Sequence, residues 1–202
     1  MGKIGFLGGT FNPIHNGHLY LAENAYKKLN LDKVIIMPTG LSYLKADDNV
    51  LDKQSRADMV KLAIKDYPYF EFSDIELNKD GNTYTFETLQ DLKLLYPNDD
   101  IYFLVGTDTF FTMDMWKCPD KIFDNCIVAV MLRDDSNLNQ IEEKSAEYID
   151  KYNAKSVFID TKKIDISSTE IRNSINSGSY DKKTNMIPDV VYEYIINNRL
   201  YL

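Results

Sequence analysis

The chain contains two histidines in 202 residues, and they stand three apart in Gly8-Gly9-Thr10-Phe11-Asn12-Pro13-Ile14-His15-Asn16-Gly17-His18. Paired glycines let a backbone approach a ligand closely, and a turn feeding a helix start offers unpaired N–H groups and partial positive charge to an anion. Gly8, Gly9, Thr10 and Phe11 thus form a candidate phosphate seat. Around a helix start, imidazoles at i and i+3 project to one side, where they could stabilise charge developing on a phosphoryl group under attack. A helix cap or a metal ligand would use the same residue type. Zinc fits poorly, because no glutamate lies between the histidines and the two cysteines, Cys118 and Cys126, are far along the chain. No Gly-Lys-Ser/Thr follows, as a Walker loop would require, and no Gly-x-Gly-x-x-Gly is present.

A second constellation is Asp165-Ile166-Ser167-Ser168-Thr169-Glu170-Ile171-Arg172. Ser167 followed by Glu170 is a capping box, which by itself explains a helix start without function. Ser168, Thr169 and Arg172 are left over from that account. Hydroxyls and N–H groups at a helix start, with a guanidinium one turn in, form a second oxyanion site. Two such starts after two strands of one sheet suggest a polyphosphate lying across both.

The elements that must position these residues can be read from periodicity. Residues 3–7 form an apolar run, followed by a helical pattern carrying Leu19, Ala22, Tyr26 and Leu29, then an all-apolar strand at 34–37 stopped by Pro38. Strand, helix, strand of this kind needs a right-handed crossover and a parallel sheet. Residues 39–51 read as a surface loop. Asp52 caps a helix with Met59, Leu62, Ala63 and Ile64 as its stripe, and 70–75 is strand-like. After a turn at Asp80-Gly81-Asn82, the residues Phe86, Leu89, Leu92 and Leu95 mark a helix ending before Pro97. Further strands are expected at 101–105, 127–132 and 157–159, with a polar, solvated helix over 137–152. Two short helices close the pattern, one at 168–177 stopped by Gly178, the other with Pro188 in its first turn. The fold class is α/β, a doubly wound, mainly parallel sheet flanked by helices, in one domain over 1–202 with a small helical portion from about 166. Ligands in that architecture bind beyond the carboxyl ends of the strands.

Composition narrows the function. Thirty-one acidic against 23 basic residues give a net charge of −8, which disfavours a nucleic-acid binder. With 44% hydrophobic and 27% charged residues the chain is of ordinary globular composition. Two cysteines make no disulfide framework, no apolar stretch approaches a membrane span, and no leader is evident. The expectation is a cytoplasmic protein with no membrane partner. Trp116, the single tryptophan, is by default a core residue, yet it sits in the polar-flanked stretch Met113-Asp114-Met115-Trp116-Lys117.

The two constellations, as Gly9-Thr10-Phe11-x-Pro13-x-His15-x-Gly17-His18 and Ile166-Ser167-Ser168-Thr169-x-Ile171-Arg172, resemble the signatures of the nucleotidyltransferase superfamily. Within it the chain is similar to the bacterial nicotinate mononucleotide adenylyltransferases nearly end to end. The similarity includes Tyr84-Thr85 with Thr88-Leu89, Gly106-x-Asp108, Trp116-Lys117 and Tyr194-Ile195. That resemblance implies a Rossmann-like fold and adenylyl transfer from ATP, with Mg2+, to nicotinate mononucleotide, giving deamido-NAD and pyrophosphate by direct in-line attack. It implies catalytic roles for His15, His18 and Arg172. It implies ATP binding by Gly8, Gly9, Thr10, Phe11, Gly106, Asp108, Ser167, Ser168 and Thr169. Acceptor binding would fall to Lys45, Thr85, Trp116, Lys117 and Arg133, with Trp116 stacked on the nicotinate ring. No dedicated protein metal site is implied, and a homo-oligomer is left open. No activated Ser, Cys or Lys nucleophile is evident, which agrees with catalysis by positioning and electrostatics.

The chain departs from the family at two places. Asn12 stands where Asp is more usual, which removes a charge and can keep a hydrogen bond. Ser42, Tyr43, Leu44 and Lys45 replace a common Pro-Pro-His-Lys, so a loop histidine has become Leu44. Rival readings are a pantetheine-phosphate or nicotinamide mononucleotide adenylyltransferase, a cytidylyltransferase, and a catalytically silent nucleotide sensor.

Overall fold

The computed structural model describes residues 1–42, 50–132, 137–162 and 164–202. The elements run β1 (Lys3–Gly9), α1 (Asn16–Leu29), β2 (Lys33–Pro38), β3 (Leu41–Ser42), α2 (Lys53–Ile64), β4 (Phe70–Phe72), β5 (Asn82–Thr83) and α3 (Thr85–Leu95). They continue with β6 (Asp100–Gly106), α4 (Thr107–Phe110), α5 (Pro119–Asn125), β7 (Ile127–Leu132), α6 (Leu138–Tyr152), β8 (Lys155–Asp160), α7 (Ser168–Asn176) and α8 (Asp189–Asn197). Six strands form one sheet in the order β4-β2-β1-β6-β7-β8, with every neighbouring pair parallel. From β1 the chain builds outward through β2 to β4, then returns to β6 on the other side of β1. The sheet is therefore doubly wound, and its topological switch point is the crevice between β1 and β6, where such sheets hold ligands.

Alternation along each strand feeds two cores, one on each face. Leu7, Val34, Ile36, Tyr102 and Leu104 pack with α1, α2, α7 and α8, through Leu19, Ala22, Met59, Ile171, Val191 and Ile195. Ile4, Phe6, Ile35, Met37, Phe103 and Val105 pack with α3, α5 and α6, through Leu89, Leu92, Ile122, Phe123 and Tyr148. Among the described residues no helix is long and apolar enough to cross a membrane.

Several local expectations are corrected. Leu95 is 60% exposed, because successive steps of three lag about 60° on a helix turning about 100° per residue; Leu95 ends opposite Phe86. The strand expected over 70–75 stops at Phe72, after Ser73 N–H donates to the Ile36 carbonyl. The segment read as loop contains β3, which pairs in parallel with β5. The helix over 138–152 is not solvated all round: Ile141, Ser145 and Tyr148 are buried. β8 is an edge strand in which only Ile159 is buried. Pro188 caps α8 and does not stand in its first turn. Asp52 does cap α2, accepting from Ser55 N–H at 2.9 Å.

Candidate active site

The turn after β1 is held from all sides. Phe11 takes a left-handed φ of 48°, and its buried ring meets His18 edge-on at 5.0 Å between centroids. Asn12 Oδ1 accepts from Leu51 N–H at 3.2 Å and from the Tyr201 hydroxyl at 2.8 Å. The hydrogen-bonding capacity expected of Asn12 is thus used. The Asn12 carbonyl accepts from Arg172 Nη1 at 2.9 Å, and the Pro13 carbonyl accepts from Ser168 Oγ at 2.9 Å. The second constellation is therefore stitched to the first through backbone carbonyls. Arg172 Nη2 also donates to Thr169 Oγ1 at 3.3 Å, and Ser167 caps α7 by accepting from Glu170 N–H at 3.1 Å.

The two histidines stack with centroids 3.6 Å apart and planes tilted by 22°. The backbone N–H of His15 donates to His18 Nδ1 at 3.2 Å, which leaves the proton of a neutral His18 on Nε2. His15 occupies the N-cap of α1 and is buried. A Cβ on Gly17 would lie 3.0 Å from His15 Nδ1 and 3.1 Å from Cε1, so the glycine between the histidines is what lets the His15 ring fold over the helix start.

Burial pushes the His15 imidazole down to about 4 from its ordinary 6.5, so it is neutral at pH 7. Between those values the unfolded chain binds a proton that the folded chain refuses, and stability falls as pH is lowered from 6.5 toward 4. The loss should total about 3 kcal/mol. Urea unfolding across that window should give a shallower pH dependence for His15→Asn than for the native chain. Equal slopes would show that His15 titrates as an exposed group.

Both constellations open on one cavity of about 670 Å³ at the β1/β6 switch point. Gly8, Gly9, Thr10, Phe11, His15, His18, Gly106, Ser167, Ser168, Thr169 and Arg172 all line it. A Cβ on Gly106 would meet nothing within 4 Å, so this strand end leaves open space beside the cavity. Asp108 is exposed in the short α4, and its neighbour Thr109 lines the cavity.

Of the acceptor set, Thr85, Trp116 and Lys117 lie outside the residues lining that cavity. Trp116 is half-buried against the α3/α5 core, 6.3 Å from the Phe103 ring centroid. Lys117 Nζ stands 3.9 Å from the centre of the Tyr84 ring, next to Thr85 at the start of α3. Lys45, Leu44 and Arg133 lie outside the described residues. Sequence reasoning passed over Arg56, which is 2% exposed and donates to three backbone carbonyls around the site. Its signal was positional: Arg56 stands on the Met59, Val60 and Ala63 face of α2.

The sheet is parallel and crossover-wound, with two helix starts converging at its switch point, and the chain belongs to the cytidylyltransferase-like family, whose profile matches residues 6–174. Its relatives place it among the nicotinate-nucleotide adenylyltransferases. It is 39% identical to a probable nicotinate-nucleotide adenylyltransferase of Clostridium beijerinckii and 35% identical to one of Lachnoclostridium phytofermentans, each over the full length of both chains. Among solved structures, the Plasmodium falciparum nicotinic acid mononucleotide adenylyltransferase complexed with NaAD shares the fold. The TM-score is 0.80 at 21% identity, covering 100% of this chain and 98% of that one.

Proposed function

We propose that this protein transfers the adenylyl group of MgATP to nicotinate mononucleotide, forming deamido-NAD and pyrophosphate in NAD biosynthesis. The observation that carries this reading is the meeting of both signature segments on one cavity at the β1/β6 crevice. A phosphate oxygen of the mononucleotide attacks the α-phosphorus of ATP in line; the bond to the β-phosphate breaks, pyrophosphate leaves, and no bond to the protein forms. Stabilisation then falls to groups already in place. His18, with its proton on Nε2, donates to the α-phosphoryl oxygens as charge develops. His15, neutral and buried, orients His18 through its N–H and the stacked ring. Arg172 and the start of α7 hold the triphosphate, while the turn from Gly8 to Phe11 cradles it.

ATP-dependent nucleotidyltransferases generally take a divalent metal. Mg2+ would come with ATP at the phosphates that Arg172 and the start of α7 hold, and when bound it would supply positive charge there.

Thr85, Trp116 and Lys117 receive the acceptor ring and its carboxylate, which makes the acid preferred over the amide: donors set for a carboxylate are poorly satisfied by an NH2 group. Pyrophosphate release should be followed with ATP and, in turn, nicotinate mononucleotide, nicotinamide mononucleotide and phosphopantetheine. The expected result is highest kcat/KM on nicotinate mononucleotide, and equal efficiency on acid and amide would defeat the assignment. Trp116→Ala should raise the acceptor KM with little change in kcat, since stacking is made before the transition state. An unchanged KM would return Trp116 to the core.

A further inference from the structure

We propose that Arg56 is a positioning residue of the phosphate site, fixing the peptide planes at the ends of β1 and β2 and lending its charge to the anion held in front of them. The proposal rests on the functional reading above in taking that anion to be the triphosphate of ATP. Arg56 is one of the largest fully buried side chains among the described residues. Its Nη1 donates to the Thr10 carbonyl at 2.9 Å and the Thr39 carbonyl at 2.8 Å, and its Nε donates to the Leu51 carbonyl at 3.1 Å. Among the described residues no carboxylate lies within ion-pairing distance of it. Asp52 and Glu76 act on it only through their field, and burial lowers its pKa, though a guanidinium keeps its proton regardless.

A buried cation without a counter-ion is an expensive thing to keep, and an apolar side chain of like volume would ordinarily serve a core better. Its place explains it. Thr10 lines the cavity and Arg56 stands behind Thr10. A trans peptide is planar with C=O and N–H opposed, so turning the Thr10 carbonyl into Arg56 turns the Phe11 N–H away from it. Phe11 holds its left-handed φ of 48° beside that peptide, a conformation a bulky residue keeps only under outside restraint. The Thr39 carbonyl is pinned by the same Nη1, while Thr39 N–H donates to the Gly9 carbonyl at 2.9 Å. One guanidinium thus locks both strand ends, and among the described residues its charge meets backbone carbonyls and no carboxylate at contact distance.

The test compares Arg56→Met, which keeps bulk without charge, with Arg56→Lys, which keeps charge without the fork. Dissociation constants for ATP and for adenosine are measured by calorimetry on the full chain, alongside thermal unfolding. Arg56→Met should weaken ATP on the order of tenfold or more while adenosine stays within about twofold, because only the phosphates feel the charge and the locked N–H groups. Arg56→Lys should recover part of the ATP loss, since one ammonium cannot span three carbonyls. Equal losses for the two ligands, or unchanged ATP affinity in Arg56→Met, would overturn the proposal. Should Arg56→Met fail to fold, the ATP-to-adenosine ratio in Arg56→Lys decides it by the same criterion. Failure of the native chain to turn over nicotinate mononucleotide would remove the acceptor assignment and leave this ratio standing.

Discussion

Replacing His18 by alanine is expected to slow the chemical step on the order of a hundredfold to a thousandfold, or about 3 to 4 kcal/mol, with ATP affinity little changed. A donor held at the helix start gains most when the α-phosphoryl oxygens take on charge, so its loss falls on kcat. The turn with Gly9 and Thr10, which lines the cavity, remains in the variant and is expected to keep the nucleotide bound. Alanine also removes the ring stacked 3.6 Å from His15 and the acceptor for His15 N–H, so some stability should go with it. His18→Asn separates the two effects: its side-chain oxygen can replace Nδ1 as acceptor, and nothing replaces the Nε2 donor. It should melt closer to the native chain yet react as slowly as the alanine variant. Single-turnover rates at saturating ATP and Mg2+, paired with thermal unfolding, decide the matter. A folded His18→Ala protein with near-native single-turnover rates would take this residue out of the reaction.

Arg172→Ala should be the next most damaging change, lowering kcat/KM on the order of a hundredfold, the scale of two lost charge-assisted hydrogen bonds. The guanidinium has five donors; one is spent on the Asn12 carbonyl and one on Thr169 Oγ1, and in the proposed reaction the others grip phosphate oxygens. Removing it should lose that grip and one of the two ties between α7 and the loop after β1, leaving the bond from Ser168 Oγ to the Pro13 carbonyl. Arg172→Lys keeps the charge without the fork and should recover only part of the rate. Native rates in the lysine variant would contradict a forked contact. Broad, early melting of both variants with a normal rate in the folded fraction would reduce Arg172 to a structural brace.

Much of this was legible in the sequence where the residues stand close together along the chain. The Gly8–His18 turn and the Ser167–Arg172 helix start are short motifs whose local geometry follows from glycine, capping hydroxyls and helical spacing. All-apolar strands at β2, β6 and β7 announced a sheet covered on both faces. What stayed hidden depends on distant partners. β3 and β5 are two-residue strands that exist only through each other, and no period can show in two residues. α5 was missed although Pro119 stands at its first position, because seven residues with buried Ile122 and Phe123 side by side carry too little helical pattern. Arg56 carries no such local signal, since a cation on an apolar stripe gives no hint of which carbonyls await it. Asn12 stands out in the sequence as a departure from the family, while its ties to Leu51 and Tyr201 are contacts across the fold.

The bond from Tyr201 to Asn12 spans 189 positions of chain. Translation delivers segments in chain order, so the loop after β1 is made well before Tyr201, and the sixth strand of the sheet ends at Asp160. A growing polypeptide can therefore assemble all six strands while Asn12 still lacks this fastening. The loop receives its last tether only when residue 201 has been synthesised and has folded back onto it. Nascent chains halted between those two points hold all six strands but lack the tether from Tyr201 to Asn12, and those halted earliest also lack α7 and α8, whose side chains complete one of the two cores.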